Sequence, residues 1–65
     1  MTRINGKEEV KAKGMTIKEY LSSHNYRPEL VAIELNGSIL PKSKYETCII
    51  SESDTLEIVT FVGGG

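Results

Sequence analysis

The sequence predicts an α+β roll, a mixed sheet of four to five strands with one short helix laid across one face. Three observations predict it. Asn5-Gly6 and Asn36-Gly37 each separate short runs of strand composition, and Asn-Gly suits a two-residue hairpin because both residues tolerate positive φ. Thr16-Ile17-Lys18-Glu19 is a capping box that opens a helix between the two hairpins. The final run from Leu56 to Val62 is apolar and β-branched, and it ends in Gly63-Gly64-Gly65.

Size limits what such a chain can do. At 65 residues it has room for one core and no deep cleft. A domain this small buries only about 60% of its unfolded surface and is often reinforced by disulfides or metals. Cys48 is the only cysteine and His24 the only histidine, so neither an internal disulfide nor a four-ligand Cys/His zinc site is expected. One cysteine fits a reducing compartment. The net charge of −1 is spread over interspersed lysines and acids, which lacks the concentrated basic face that nucleic acid requires. No apolar run reaches the length of a membrane span and no signal-peptide core is evident. A soluble cytoplasmic monomer is expected.

Taken in order, residues 2–5 and 8–12 read as strands around the first Asn-Gly turn, and Gly14-Met15 breaks the pattern. The helix begins at Thr16, with Met15 and Tyr20 at the staple positions. Ile17, Tyr20 and Leu21 share one face, while Lys18, Glu19 and Ser22 point away. Ser22-Ser23-His24-Asn25 is the exit. So short a helix must be held by docking on the sheet. Tyr26-Arg27-Pro28-Glu29 is a connector, with Pro28 limiting any helix there. Leu30–Leu35 is the next strand, its core face Val31, Ile33 and Leu35. The second Asn-Gly turn leads to Ser38-Ile39-Leu40, which Pro41 confines to a short edge piece. Residues 42–47 read as an irregular turn, Cys48-Ile49-Ile50 as a brief extended segment, and Ser51–Asp54 as a turn into the last strand, which should stop near Val62.

In one small sheet the helix must cross over and cover a face. The last strand then lies at the centre, parallel to the first. That is the β-grasp, or ubiquitin-like, arrangement. The whole chain, 1–65, forms one domain, with 62–65 expected as a flexible reactive tail.

Two readings of the glycines stand. Chain ends fray, and an added segment would look the same. Alternatively, a backbone without Cβ atoms threads a channel closed to other sequences, reaching roughly 10–14 Å beyond its anchor, with the α-carboxylate of Gly65 as the reactive group. If Leu56 and Ile58 face the helix, then Glu57, Val59 and Phe61 face outward. Val59 and Phe61, with Val62 beside the tail, are then the expected partner-docking residues. The opposite register makes them core. Cys48 invites a sulfur-relay role, but a cysteine in an apolar segment is more often buried and inert. His24 near the helix end is read as a cap or a solvent-facing side chain. Tyr20, Tyr26 and Tyr45 are too dispersed for a stacking platform.

These residues resemble the ThiS sulfur carriers of thiamin biosynthesis along nearly the whole chain. The matching pieces are Ile4-Asn5-Gly6-Lys7, Thr16–Leu21, Val31–Gly37, Ile39–Ser43 and, most strongly, Asp54–Gly65. The resemblance implies a carrier with no catalytic residues of its own. A ThiF-like adenylating enzyme would activate Gly65 with ATP, and a persulfide derived from a cysteine desulfurase would convert it to a thiocarboxylate, 1-thioglycine. Thiazole synthase (ThiG-like) would take the sulfur. Gly63 and Gly64 would thread the partner's channel, and the chain itself would bind no cofactor or metal. One departure concerns Glu52-Ser53-Asp54, where the family usually has Glu-Gly-Asp. If that position needs positive φ, serine costs about 1 kcal/mol. Competing functions are a molybdopterin synthase small subunit, a ubiquitin-like modifier of lysines, and a plain interaction module.

Overall fold

The computed structural model describes residues 1–61, and Val62, Gly63, Gly64 and Gly65 lie outside the described residues. Among the described residues five strands form one sheet. They are β1 (Arg3–Ile4), β2 (Lys7–Glu8), β3 (Val31–Leu35), β4 (Ser38–Leu40) and β5 (Thr55–Thr60), in spatial order β2-β1-β5-β3-β4. β5 lies at the centre, as expected. It runs parallel to β1, with Arg3 opposite Thr55 and Ile4 opposite Leu56. It runs antiparallel to β3, with Val31 opposite Thr60 and Ile33 opposite Ile58. One helix, α1 (Ile17–Ser23), covers one face.

Both hairpin turns place Asn and Gly at positive φ: 52° and 83° at Asn5-Gly6, 51° and 88° at Asn36-Gly37. Those values belong to the primed turn whose twist matches paired strands. The expected strand over 8–12 is shorter than read. β2 ends at Glu8, and Val10–Ala12 is a 3₁₀ turn. The reason is the length of its partner. Glu9 N–H already donates to the carbonyl of Thr2 (2.9 Å), so β1 has almost no backbone left to pair with residues 10–12. The chain instead leaves the sheet and buries Ala12 in the core.

The helix is only seven residues long, and both of its ends are capped. Thr16 Oγ1 accepts from the Glu19 amide (3.0 Å) and Glu19 Oε1 accepts from the Thr16 amide (2.9 Å), the predicted capping box. The Ile17 and Lys18 amides donate to the carbonyls of Cys48 (3.0 Å) and Tyr45 (2.9 Å). Every amide of the first turn therefore has a partner. At the other end Asn25 adopts φ 62°. The Tyr26 amide reaches back to Leu21 (2.8 Å) and the Asn25 amide to Ser22 (3.2 Å), a Schellman ending with asparagine in place of glycine.

The core takes Ile4, Val31, Ile33, Leu56 and Ile58 from the sheet and Ile17, Tyr20 and Leu21 from the helix. The loops add Ala12, Tyr45 and Ile50. Leu35, expected on the core face, is half-buried against this cluster. Residues 48–50 carry an isolated bridge, Thr16 to Ile49, flanked by bonds from Gly14 to Ile50 and from Ile50 to Met15 (both 2.8 Å). The extended segment read from the sequence is thus stitched to the start of α1.

Ser53 does not occupy the left-handed region, because positive φ among the described non-glycine residues is confined to Asn5, Asn25 and Asn36. The cost considered for serine in place of glycine does not arise. The turn is closed instead by Asp54, whose carboxylate accepts from the Ser51 amide (2.9 Å) and from Asn36 Nδ2 (3.0 Å). Partial burial pushes the Asp54 carboxyl up, but the bonds from Asn36 and Ser51 outweigh that and hold it below the ordinary 3.8. A lowered carboxyl in the folded state contributes stability that is present above the ordinary value and is lost as pH falls through the folded one. The difference in melting temperature between wild type and Asp54→Asn should therefore be constant near neutral pH. It should shrink on acidification below 3.8, as read by thermal melts at stepped pH.

Candidate functional site

Strand alternation sorts the side chains of β5 onto two faces. Leu56 and Ile58 are buried at 1% and 8% exposure, whereas Val59 and Phe61 are 54% and 52% exposed. The outward register read from the sequence is the one observed. Phe61 lies one residue past β5, yet its amide still donates to the Leu30 carbonyl (2.8 Å). The last described residue is thus held to Leu30, the residue just before β3. Val62, read as a docking residue, and Gly63, Gly64 and Gly65, read as the tail, lie outside the described residues.

The outer face is broader than the sequence reading had it. Val59 is paired with Ala32, Glu57 with Glu34, and Glu34 in turn with Ile39 of β4. Ile39 is 67% exposed. It adds an exposed apolar side chain to this face on a third strand, beside Glu34, and was not singled out from the sequence. The available signal was alternation with Leu40, which packs against the core. Glu34 and Glu57 stand directly opposite one another across the β3–β5 pair, both exposed. Like charges at that spacing destabilise a sheet. An apolar surface carrying two carboxylates suits a partner that presents apolar groups together with a cation.

The remaining candidates fall away from this face. Cys48 is a half-buried free thiol packed against the core, and its amide donates to the Lys44 carbonyl (2.9 Å). His24 caps α1 and is exposed, its ring stacked on Tyr20 at 4.0 Å between centroids. Burial raises the Tyr20 hydroxyl above its ordinary value, helped by Glu9 and Tyr26 nearby. Tyr45 is a core residue, and burial raises its hydroxyl although a bond to the Ile33 backbone partly offsets this. Among the described residues no group of His, Cys, Asp and Glu side chains could hold a metal ion. No described helix is long and apolar enough to cross a membrane.

Comparison with known proteins gives a consistent result. The model of the ThiS family matches residues 1–65. The sulfur carrier protein ThiS of Bacillus subtilis strain 168 is 36% identical over 66 residues, covering all of both chains. A thiazole synthase of Paramagnetospirillum magneticum is 40% identical over 62 residues, covering 95% of this chain. The chain spans only 19% of that enzyme's length. Among solved structures, the crystal structure of the thiamine biosynthesis protein (ThiS) of Geobacter metallireducens superposes with a TM-score of 0.76 at 28% identity. It covers 98% of this chain and 97% of its own.

The two faces of β5 give opposite expectations for stability. Phe61→Asp replaces an exposed side chain and should change stability by only about 0.5 kcal/mol. Ile58→Ala removes buried carbons and should cost about 2–5 kcal/mol. Urea melts of the two variants read the contrast directly, and equal losses would contradict the register.

Proposed function

The chain belongs to the ThiS family, and from that premise we propose that it is a sulfur carrier for thiazole formation whose working group is the α-carboxylate of Gly65. The observation that carries this reading is the end-to-end match to a sulfur carrier protein ThiS. The fold supports it. A central strand, paired on both sides, ends in exposed apolar side chains immediately before Val62-Gly63-Gly64-Gly65.

The chemistry follows from the terminal group. A carboxylate is a poor electrophile, so a ThiF-like enzyme transfers AMP from ATP to Gly65 and releases pyrophosphate. A persulfide sulfur then attacks the acyl carbon and the bond to AMP breaks. Cleavage of the resulting S–S bond by a thiol leaves the thiocarboxylate, 1-thioglycine. The persulfide derives from cysteine through a desulfurase. The carrier contributes no acid–base pair to these steps. It is a co-substrate, and ATP belongs to the activating enzyme. Gly63 and Gly64 thread the narrow approach to the active site, while Val59, Phe61 and Val62 dock, with Ile39 extending the docking patch.

Similarity to a segment of thiazole synthases supports thiazole synthase (ThiG-like) as the sulfur acceptor. The molybdopterin synthase small subunit shares this chemistry, and co-purification with one or other large partner separates the two. We place the cycle in the cytoplasm, where a thiol reductant is at hand.

Deletion of Gly65, or Gly64→Ala, should leave the melting temperature unchanged and abolish ATP–pyrophosphate exchange by the adenylating enzyme. Normal exchange from either variant would overturn the assignment of Gly65.

A further inference from the structure

We propose that Asn5 is a positioning residue for the C-terminal half of β5 and its outer face, acting through Ile58, in addition to shaping its hairpin turn. β1 is only two residues long. Its ladder on β5 is carried by backbone bonds from Arg3 to Asp54 and from Asn5 to Leu56 (both 2.9 Å). The chain then turns back through Gly6, so β1 offers no backbone to the next rung of β5, the amide and carbonyl of Ile58. The Asn5 carboxamide fills that place. Its Oδ1 accepts from the Ile58 amide at 2.7 Å and its Nδ2 donates to the Ile58 carbonyl at 3.4 Å. A carboxamide carries the same donor and acceptor as a peptide group, so the side chain continues the sheet where the main chain has left it.

Position along β5 gives this contact its consequence. Ile58 immediately precedes Val59, stands three residues before Phe61, and lies on the β1 side of a strand whose other side is held by β3. Without Asn5, the tail-bearing half of β5 would be held from one side only. Asn36, the asparagine of the other hairpin, grips the opposite end. Its Oδ1 accepts from the Thr55 amide (2.9 Å) and its own amide donates to the Thr55 carbonyl (2.8 Å). The two Asn-Gly turns thus share a second task, and only Asn5 performs it near the docking patch.

The inference rests on the carrier reading above, and its test keeps the two apart. Glycine tolerates the positive φ of both turns, so Asn5→Gly and Asn36→Gly remove the carboxamides while keeping the hairpins. Hydrogen exchange of the free proteins is read first. Asn5→Gly should speed exchange of the Ile58 amide roughly tenfold, the net worth of a hydrogen bond to a part-buried group. Asn36→Gly should do the same at Thr55 and leave Ile58 alone. Adenylation kinetics are read second. Asn5→Gly should raise KM for the carrier roughly two- to tenfold with kcat unchanged, the signature of lost binding. Asn36→Gly should leave KM unchanged. Asn5→Asp, which keeps the acceptor, should recover part of both losses. Unchanged exchange at Ile58 overturns the clasp, and faster exchange with unaltered KM reduces Asn5 to a structural residue. Failure of the wild-type protein to be adenylated at all would count against the carrier reading, while the exchange result would still decide the clasp.

Discussion

Everything in this molecule depends on the two-sidedness of β5. Leu56 and Ile58 anchor the core beneath α1, while Glu57, Val59 and Phe61 are presented to solvent on the other face. Because side chains alternate, a slip of one residue would exchange the two sets and ruin both. Three contacts prevent that slip. β3 pairs with β5 along five residues, β1 runs parallel to its first half, and the Asn5 and Asn36 side chains fasten it at Ile58 and Thr55. One strand thus carries the centre of the core and the approach to the glycine tail. That economy suits a chain of 65 residues.

With a single cysteine the chain cannot form an internal disulfide, and stability comes from closing the backbone. A seven-residue helix is far too short to persist alone. Here the segment from Tyr45 to Ile50 runs along its first turn and accepts from the Ile17 and Lys18 amides, while Thr16 and Glu19 satisfy each other. The same segment sends Tyr45 and Ile50 into the core. No buried side-chain polar atom among the described residues lacks a hydrogen-bond partner. Full satisfaction of buried polar groups matters most when the core is small, because each unmet group forfeits a large share of a marginal stability.

Most of the fold was legible because its signals are local. Asn-Gly pairs need positive φ, a capping box needs a helix, and alternation in Leu56–Phe61 assigns each residue a face. What was illegible depends on partners distant in sequence. Nothing near Val10 shows that β1 is too short to pair with it, so the strand read over 8–12 gives way to a 3₁₀ turn. Tyr45 lies in a lysine-rich loop and becomes core only because that loop folds over β3. On the outer face Val59 and Phe61 were readable, and alternation with Leu40 also marked Ile39 as outward; only its place beside Glu34 required the register of β4 on β3. Val62 and the three glycines were read from composition and from family resemblance alone. The bond from the Asn5 side chain to Ile58 spans 53 positions and leaves no local trace.

The central claim is that Gly65 carries sulfur, and intact mass tests it most directly. The protein would be incubated with ATP, its adenylating enzyme, a cysteine desulfurase, cysteine and a thiol reductant. A mass increase matching exchange of one oxygen for sulfur, located by fragmentation to Gly65, is the expected result. An unchanged mass beside an active enzyme control would contradict the carrier account.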